Sequence, residues 1–279
     1  MPYNSQISRS AANALMPEEV SQEILGNIEA ASVVMSMGNR LPNMSRKQRR
    51  IPVIGSVPVA YFVNGDTGRK QTTSVSWDNV YINAEELAVI VPIPEAVLDD
   101  AEYDIWGQIR PGIETAIGKS IDRAVLYGID APAAWPECII EGAEAAGHEV
   151  TLGEVGDLYD DLLAEGGVLN KVEEDGYMVT GHVAAHGMKA KLRGLRDQDD
   201  RPLFLSGMQG KAEYTLDGET LSFPKNGAVD PSRSLLISGD WSQLVYAIRQ
   251  DITYKMLDQA VIDDGAGNIV FNLAQQDMV

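Results

Sequence analysis

The chain has 279 residues, of which 44% are apolar and one, Cys138, is a cysteine. This length can enclose the cores of about two domains, and a single thiol excludes an intrachain disulfide and fits a reducing compartment. Because no run of about 18 apolar residues occurs and the N-terminus lacks an apolar signal core, the sequence favours a soluble, unsecreted protein.

Charge is distributed unevenly along the chain. The net charge is −19, from 41 acidic and 22 basic residues, but residues 1–50 hold six basic against four acidic side chains. The remaining 16 basic and 37 acidic residues give a balance of −21, so the body should repel nucleic acid and the first segment should not. The basic residues concentrate at Arg46, Lys47, Arg49 and Arg50. This basic stretch is a solvated loop, a partner for an acidic surface of a neighbouring subunit, or a nucleic-acid contact.

The N-terminal part of the chain is predicted to be an arm. After a polar, aperiodic start, residues 17–39 have the spacing of a short amphipathic helix, with Val20, Ile24 and Ile28 on one face. Residues 41–50 follow as a loop without an apolar period. A single helix attached in this way cannot bury its apolar face on itself, so we expect it to lie on its own domain or on a neighbouring subunit.

Two stretches of alternating apolar residues, 51–63 and 71–82, predict a β-hairpin, because the residues between them favour a turn. Pro52 and Pro58 mark the first strand as an edge, and a two-stranded ribbon is marginally stable in water. The hairpin should therefore lie on its own domain or on something outside the chain. Its predicted tip contains Asn64, Gly65, Asp66, Arg69 and Lys70.

Residues 87–128 combine a predicted strand with the most regular helical pattern in the chain. Isoleucine or valine recurs at every fourth position from Ile105 to Val125, which predicts a long helix with a buried apolar ridge. We call it the spine helix. Gly128 stands where a helix-terminating glycine would lie. Pro111 lacks a backbone donor, so the helix either kinks there or begins afresh with Pro111 in its first turn.

Beyond residue 131, helices and strands alternate without an internal repeat or a phosphate-binding glycine pattern. The predicted elements are helices at residues 154–169 and 182–195, strands at 177–180 and 235–237, and a hairpin at 211–223.

Little in the sequence points to catalysis. His182 and His186 are four residues apart and would share a face of the predicted helix, as in some zinc sites. No third ligand follows at a recognisable spacing, so a surface or inter-subunit helix face is the simpler interpretation. A metal-dependent enzyme is the alternative from a different functional class. We predict no catalytic residue, metal or cofactor.

The order of these elements resembles the major capsid proteins of tailed bacteriophages of the Hong Kong 97 type. The stretches that carry the resemblance are residues 16–34, 51–63, 87–128, 192–204 and 236–256. The resemblance implies an α+β fold of five parts: an N-arm at 1–50, an E-loop hairpin at 51–83, a P-domain with the spine helix at 84–131, an A-domain at 132–245 and a return to the P-domain at 246–279.

The resemblance also implies a function, a structural subunit that self-assembles as pentamers and hexamers into an icosahedral shell around double-stranded DNA. The hairpin tip would contact a neighbouring subunit, and the basic stretch would contact the genome or a neighbour. The further partners implied are portal and cement proteins. Because the arm follows Met1 directly, we expect either a separate scaffolding protein or none. The protein would assemble in the host cytoplasm, reside in the virion capsid and contact no membrane. An encapsulin-like compartment that encloses cargo protein shares the fold and is the nearest alternative.

Overall fold

The computed structural model describes residues 27–28, 30–56, 58, 60, 72–93, 105–197, 199–201, 203, 214–250, 253, 255, 257, 260–263 and 269–272. The helices are α1 (Val33–Met37), α2 (Ile105–Tyr127), α3 (Ile139–Ala146), α4 (Leu158–Leu163), α5 (Val168–Glu174) and α6 (His186–Gly194). The strands are β1 (Asn39–Arg40), β2 (Gln48–Ser56), β3 (Ser76–Asn83), β4 (Gly181–Ala184), β5 (Thr215–Leu216), β6 (Glu219–Ser222), β7 (Leu236–Gly239), β8 (Val245–Tyr246), β9 (Val261–Asp263) and β10 (Ile269–Asn272). The mixed helix and strand content agrees with the α+β class.

A four-stranded sheet in the order β5-β6-β4-β7 lies at the centre of the body. Strand β4 runs parallel to β6 and antiparallel to β7, and all four of its residues are buried. Successive side chains of a strand point to opposite faces of the sheet. Val183 accordingly joins one apolar cluster and Ala184 joins another, so the sheet is covered on both faces.

The first apolar cluster holds the end of the spine helix against the sheet. Leu126 and Tyr127 of α2 pack with Val33 and Val34 of α1 and with Trp241. The indole N–H of Trp241 donates to the Gly181 carbonyl at 3.0 Å, so the buried ring leaves no donor unpaired. Of the two locations expected for the N-terminal segment, its own domain is therefore the one observed for α1.

The spine helix α2 is continuous from Ile105 to Tyr127, with Pro111 inside it. The alternative of a helix that begins afresh at Pro111 is thus wrong. The Pro111 carbonyl accepts a hydrogen bond from the Thr115 hydroxyl at 2.8 Å. Gly128 has a φ of +68° and donates its N–H to the Ala124 carbonyl at 3.0 Å, which confirms it as the terminating glycine.

The most buried face of the spine helix is not the predicted isoleucine ridge. Glu114, Gly118 and Asp122 are buried at four-residue spacing, whereas Ile113 and Ile117 beside them are only half-buried. The backbone of the N-terminal segment approaches this polar face, and a Cβ on Gly118 would lie 3.1 Å from the Ser32 nitrogen. Close approach of backbone and hydrogen bonding, rather than hydrophobicity, thus select the buried face.

Two predicted elements of the body are displaced or divided. The helix expected at residues 154–169 is divided into α4 and α5, because Gly166 has a φ of +82° and a Cβ on Gly167 would meet the Ala164 carbonyl oxygen at 2.8 Å. The strand expected at residues 177–180 lies instead at β4, and the following helix starts only at His186. Pairing of β4 with two neighbours overrides the local helical spacing.

Other predicted elements are confirmed or corrected near their ends. Strands β5 and β6 form the expected hairpin, and Asp217 and Gly218 both have positive φ, as a tight hairpin turn requires. Strand β7 matches the predicted strand at 235–237. The strand expected before the spine helix is absent from residues 84–93, which have no regular structure.

In the part of the chain that is described, no helix combines the length and apolar character needed to cross a membrane.

Candidate assembly surface

The predicted hairpin is present as an antiparallel ribbon of β2 and β3. Its register runs from Gln48 opposite Asn83 to Ile54 opposite Trp77, and an irregularity at Gly55 precedes the last pair. Strand β2 begins three residues earlier than expected, so Arg49 and Arg50 lie in the ribbon rather than in a loop. The extra residue at Gly55 in β2 increases the local twist of the ribbon.

The register assigns each side chain of the ribbon to one of two faces. We call the first the aromatic face; it carries Gln48, Arg50, Pro52, Ile54, Trp77, Asn79, Tyr81 and Asn83. The second, the aliphatic face, carries Arg49, Ile51, Val53, Asp78, Val80 and Ile82. A hydrogen bond of 3.0 Å from the Gln48 amide to the Asn83 side-chain oxygen supports the first assignment.

Large apolar side chains of the ribbon are exposed. The exposed fraction is 62% for Trp77, 52% for Ile54 and 51% for Tyr81 on the aromatic face, and 52% for Val80 on the other. Single exposed apolar residues are common in soluble monomers, but a contiguous patch marks an interaction site. On the aromatic face Ile54 and Trp77 are direct cross-strand partners, and the exposed Pro52 is diagonal to both Trp77 and Tyr81, so this face presents such a patch.

The base of the ribbon is attached to the body by polar contacts. The Asn83 amide donates to the Ala134 carbonyl of the body at 3.1 Å, whereas the Ala84 N–H donates to the Lys47 carbonyl at 2.8 Å and so extends the pairing of the two strands. The Arg49 guanidinium donates to the Pro42 carbonyl at 3.0 Å. The bonds of Asn83 and Arg49 fix the orientation of the ribbon relative to the body.

The four residues of the predicted basic stretch are not equivalent. Arg49 is half-buried by its contact with Pro42, and Lys47 pairs with Glu85 at 3.5 Å. Arg46 and Arg50 are exposed and have no ion-pair partner among the described residues. The structure therefore leaves these two cations available for another molecule. The five predicted tip residues, Asn64, Gly65, Asp66, Arg69 and Lys70, lie outside the described residues.

A second exposed apolar stretch follows the ribbon. Leu87, Val89, Ile90 and Val91 are between 40% and 71% exposed, although they are nearly consecutive in the chain. A run of this kind with no cover from the described body is a second place where another surface could bind.

A buried carboxylate joins the N-terminal segment to the spine helix. Asp122 is fully buried and accepts hydrogen bonds from the Ser32 hydroxyl at 2.6 Å and from the N–H groups of Val33 and Val34 at 3.1 Å. The Asn226 amide donates to the same carboxylate at 2.6 Å and to the Ala31 carbonyl at 3.0 Å. Asp122 thereby satisfies the first donors of α1, where negative charge is favoured.

Sequence reasoning missed this role of Asp122. The available signal was the four-residue spacing of Glu114, Gly118 and Asp122 along the spine helix, a small and polar series beside the isoleucine ridge. The groups that donate to Asp122 lie about 90 residues before it and 104 residues after it in the chain. No local sequence pattern predicts contacts between residues so far apart.

The expectation that His182 and His186 share a helix face is wrong. His182 lies in β4 and is fully buried, whereas His186 is exposed at the start of α6, so the two rings do not share a helix face. The Leu216 carbonyl can only accept, so Nε2–H of His182 donates to it at 3.1 Å and Nδ1 accepts from the Ser238 hydroxyl at 2.8 Å. Burial lowers the pKa of His182, although the hydrogen bond to Leu216 opposes this effect. Among the described residues, no group of three potential metal ligands occurs.

The chain is similar in sequence to capsid proteins of tailed phages. The family model described as "Phage capsid family" matches residues 12–279. The probable major capsid protein gp17 of Mycobacterium phage D29 is 24% identical over 90% of this chain and 77% of its own length. The major capsid protein of Staphylococcus phage 80alpha is 25% identical over 100% of this chain and 82% of its own length.

Solved structures from phages have the same fold. A chain from Microbacterium phage Oxtober96 is 32% identical, with a TM-score of 0.76 over 98% of this chain and 89% of its own. A chain from Mycobacterium phage Cain, also 32% identical, gives a TM-score of 0.73 over 98% of this chain and 88% of its own. The family match covers nearly the whole chain. This chain belongs to the phage capsid family.

Proposed function

We propose that this chain is the major capsid subunit of a tailed phage, which self-assembles into an icosahedral shell that encloses double-stranded DNA. Two relatives that match at least 90% of the chain are named as major capsid proteins. Neither of these names refers to an enzymatic activity. The proposed role is accordingly structural, without catalysis or a cofactor.

The observation that carries this proposal is the exposed β2–β3 ribbon. A two-stranded ribbon with exposed apolar side chains gains little stability by itself. Complete burial of one large apolar side chain stabilises by about 1.5–3 kcal/mol, so covering the exposed halves of Ile54, Trp77 and Tyr81 would contribute roughly 3 kcal/mol per ribbon. In a closed shell of pentamers and hexamers every subunit would make this contact, because repeated assembly gives each copy a similar neighbour.

The parts of the subunit are proposed to follow the capsid pattern. Residues 1–50 would be the N-arm, 51–83 the E-loop, 84–131 and 246–279 the P-domain, and 132–245 the A-domain. Support comes from the observed spine helix, the ribbon and the separate four-stranded sheet. The E-loop tip with Asn64, Gly65, Asp66, Arg69 and Lys70 would contact a neighbouring subunit.

The proposed partners are further copies of the chain as pentamers and hexamers, and packaged DNA through non-specific contacts. The balance of −21 beyond residue 50 supports a shell wall that does not trap the genome, because DNA binding depends on basic groups. Portal and cement proteins, with or without a scaffolding protein, would be further partners. Assembly in the host cytoplasm would deliver the subunit to the virion capsid.

Electron microscopy of the purified full chain, together with light scattering, tests the function. We expect closed shells, or rings of five or six subunits, at high protein concentration. A compact monomer at every concentration would contradict the proposal. Shells isolated from the native source should contain genomic-length DNA, and shells filled with protein cargo would instead indicate an encapsulin-like compartment.

A further inference from the structure

The two faces of the ribbon differ in the kinds of side chain that they expose. The aromatic face exposes Arg50, Ile54, Trp77 and Tyr81. On the aliphatic face Ile51 and Ile82 are half-buried, as is Arg49, which is held by the Pro42 carbonyl. The aromatic face is therefore the side with more uncovered apolar and cationic surface.

Tryptophan, tyrosine and arginine are the residue types most enriched among the side chains that dominate binding energy at protein interfaces. All three occur on the aromatic face, and Trp77 and Tyr81 are 62% and 51% exposed. Covering these two rings would remove on the order of 200 Å² from water, about a quarter of what one partner contributes to a standard interface. The aliphatic face offers two exposed valines and the carboxylate of Asp78 instead.

Charge complementarity indicates what covers the aromatic face. Its one ionic group is Arg50, a cation without an ion-pair partner among the described residues. The chain beyond residue 50 has a balance of −21, so a second copy presents a predominantly acidic surface. Such a surface attracts the exposed Arg50. On the aliphatic face it would repel the exposed Asp78, and the cation there, Arg49, is half-buried and held by the Pro42 carbonyl.

Duplex DNA fits this face less well than a second copy does. Phosphates would attract Arg50, but the bases of a duplex are stacked inside it and cannot cover Trp77. Ile54 and Pro52 would then face a polar backbone without losing their contact with water. A protein surface can cover the apolar groups and also pair with the cation.

We infer that the aromatic face is the side of the ribbon that docks on a second copy of this chain, with Trp77 and Tyr81 as apolar anchors and Arg50 as the orienting charge. This inference rests on the proposed function. Beyond that function, it specifies which face of the ribbon binds the second copy and which side chains make the contact.

Neighbouring residues of β3 provide a matched test. Tyr81 and Val80 are 51% and 52% exposed and point to opposite faces, so Tyr81→Ser and Val80→Ser remove similarly exposed side chains. The assay uses the purified full chain without nucleic acid and measures the lowest concentration that forms shells or rings. Tyr81→Ser and Trp77→Ser should raise this concentration at least about tenfold, and Val80→Ser less than about twofold. Equal effects on both faces, or the reverse order, overturn the inference. Unchanged melting temperatures verify that the variants fold.

Arg50→Gln tests the charge, with Arg193→Gln on the exposed surface of α6 as the control. We expect Arg50→Gln to slow assembly and to weaken its dependence on salt, whereas Arg193→Gln should change neither. If Arg50→Gln assembles normally in this assay but DNA-filled particles built from the variant retain less DNA, the face is turned to the genome and the inference is wrong. If the unsubstituted chain forms neither shells nor rings, the proposed function fails as well; if it assembles and the variants do not differ, only the face assignment fails.

Discussion

At the scale of single residues, Asp122 shows how a buried charge can organise a backbone. Its carboxylate accepts from the Ser32 hydroxyl, two backbone N–H groups and the Asn226 amide, so its desolvation is offset by charge-assisted hydrogen bonds. Removing the acceptor would leave several buried donors unpaired, each at a cost of about 1–3 kcal/mol.

We therefore expect Asp122→Ala to lower the free energy of unfolding of the unassembled subunit by about 3–5 kcal/mol. Asp122→Asn should lose less, because its amide oxygen still accepts. Glu144→Ala on the exposed side of α3 is the control and should stay within about 0.5 kcal/mol. Denaturant unfolding measures all three variants. An Asp122→Ala subunit as stable as the control would show that the buried network contributes little.

His182 makes the stability of the central sheet depend on pH. Burial lowers its pKa in the folded protein below the ordinary value of about 6.5, so the unfolded chain binds more protons as the pH falls. The stabilising contribution of neutral His182 is thus present above about pH 6.5 and is lost progressively below it. The Gly153 N–H lowers the pKa of Asp161, and the hydroxyls of Ser232 and Ser242 lower the pKa of Asp230 and Asp240. Because these pKa values lie below the ordinary aspartate value, the three carboxylates lose their stabilising contribution only at a lower pH than His182 does.

Between pH 7 and pH 5 we expect the melting temperature to fall for the unsubstituted chain and to fall less for His182→Gln. Glutamine can replace both hydrogen bonds of the ring but takes up no proton in this range. His186→Gln changes an exposed ring and should reproduce the slope of the unsubstituted chain. Parallel slopes for His182→Gln and His186→Gln would exclude His182 as the source.

At the scale of elements, the spine helix offers two glycines in contrasting surroundings. A Cβ on Gly118 would lie 3.1 Å from backbone atoms of the N-terminal segment, whereas a Cβ on Gly112 has nothing within 4 Å. Replacing glycine by alanine in an exposed helix interior gains about 0.5–1 kcal/mol. At Gly118 the required backbone shift opposes this gain and costs about 1–3 kcal/mol.

Gly112→Ala should accordingly raise the melting temperature of the subunit, and Gly118→Ala should lower it. The two substitutions lie in one helix and make the same chemical change, so their opposite signs would isolate the contact with Ala31 and Ser32. A stabilising Gly118→Ala would mean that the N-terminal segment can move away from the helix without cost.

At the scale of the whole molecule, the proposed assembly depends on surface that the isolated chain leaves exposed. The exposed ribbon and the apolar run at residues 87–91 contribute no core to their own chain. We expect the deletion of residues 64–70, with a two-residue turn in their place, to leave the melting temperature of the subunit unchanged and to weaken assembly. A glycine-serine tip of the original length separates the effect of length from that of the residues. If the shortened protein assembles as well as the parent chain, the tip is not an inter-subunit contact.

Local sequence patterns were sufficient to predict the long helix and its end at Gly128, the ribbon, the hairpin of β5 and β6, and the resemblance to phage capsid proteins. These features depend on local periodicity and turn chemistry, which act between residues close in the chain. Three features became visible only in the folded chain: Asp122 rather than the isoleucine ridge faces α1, residues 181–184 form a strand, and particular side chains share each face of the ribbon. Each of these depends on partners far apart in sequence, whose hydrogen bonds and packing override local preference.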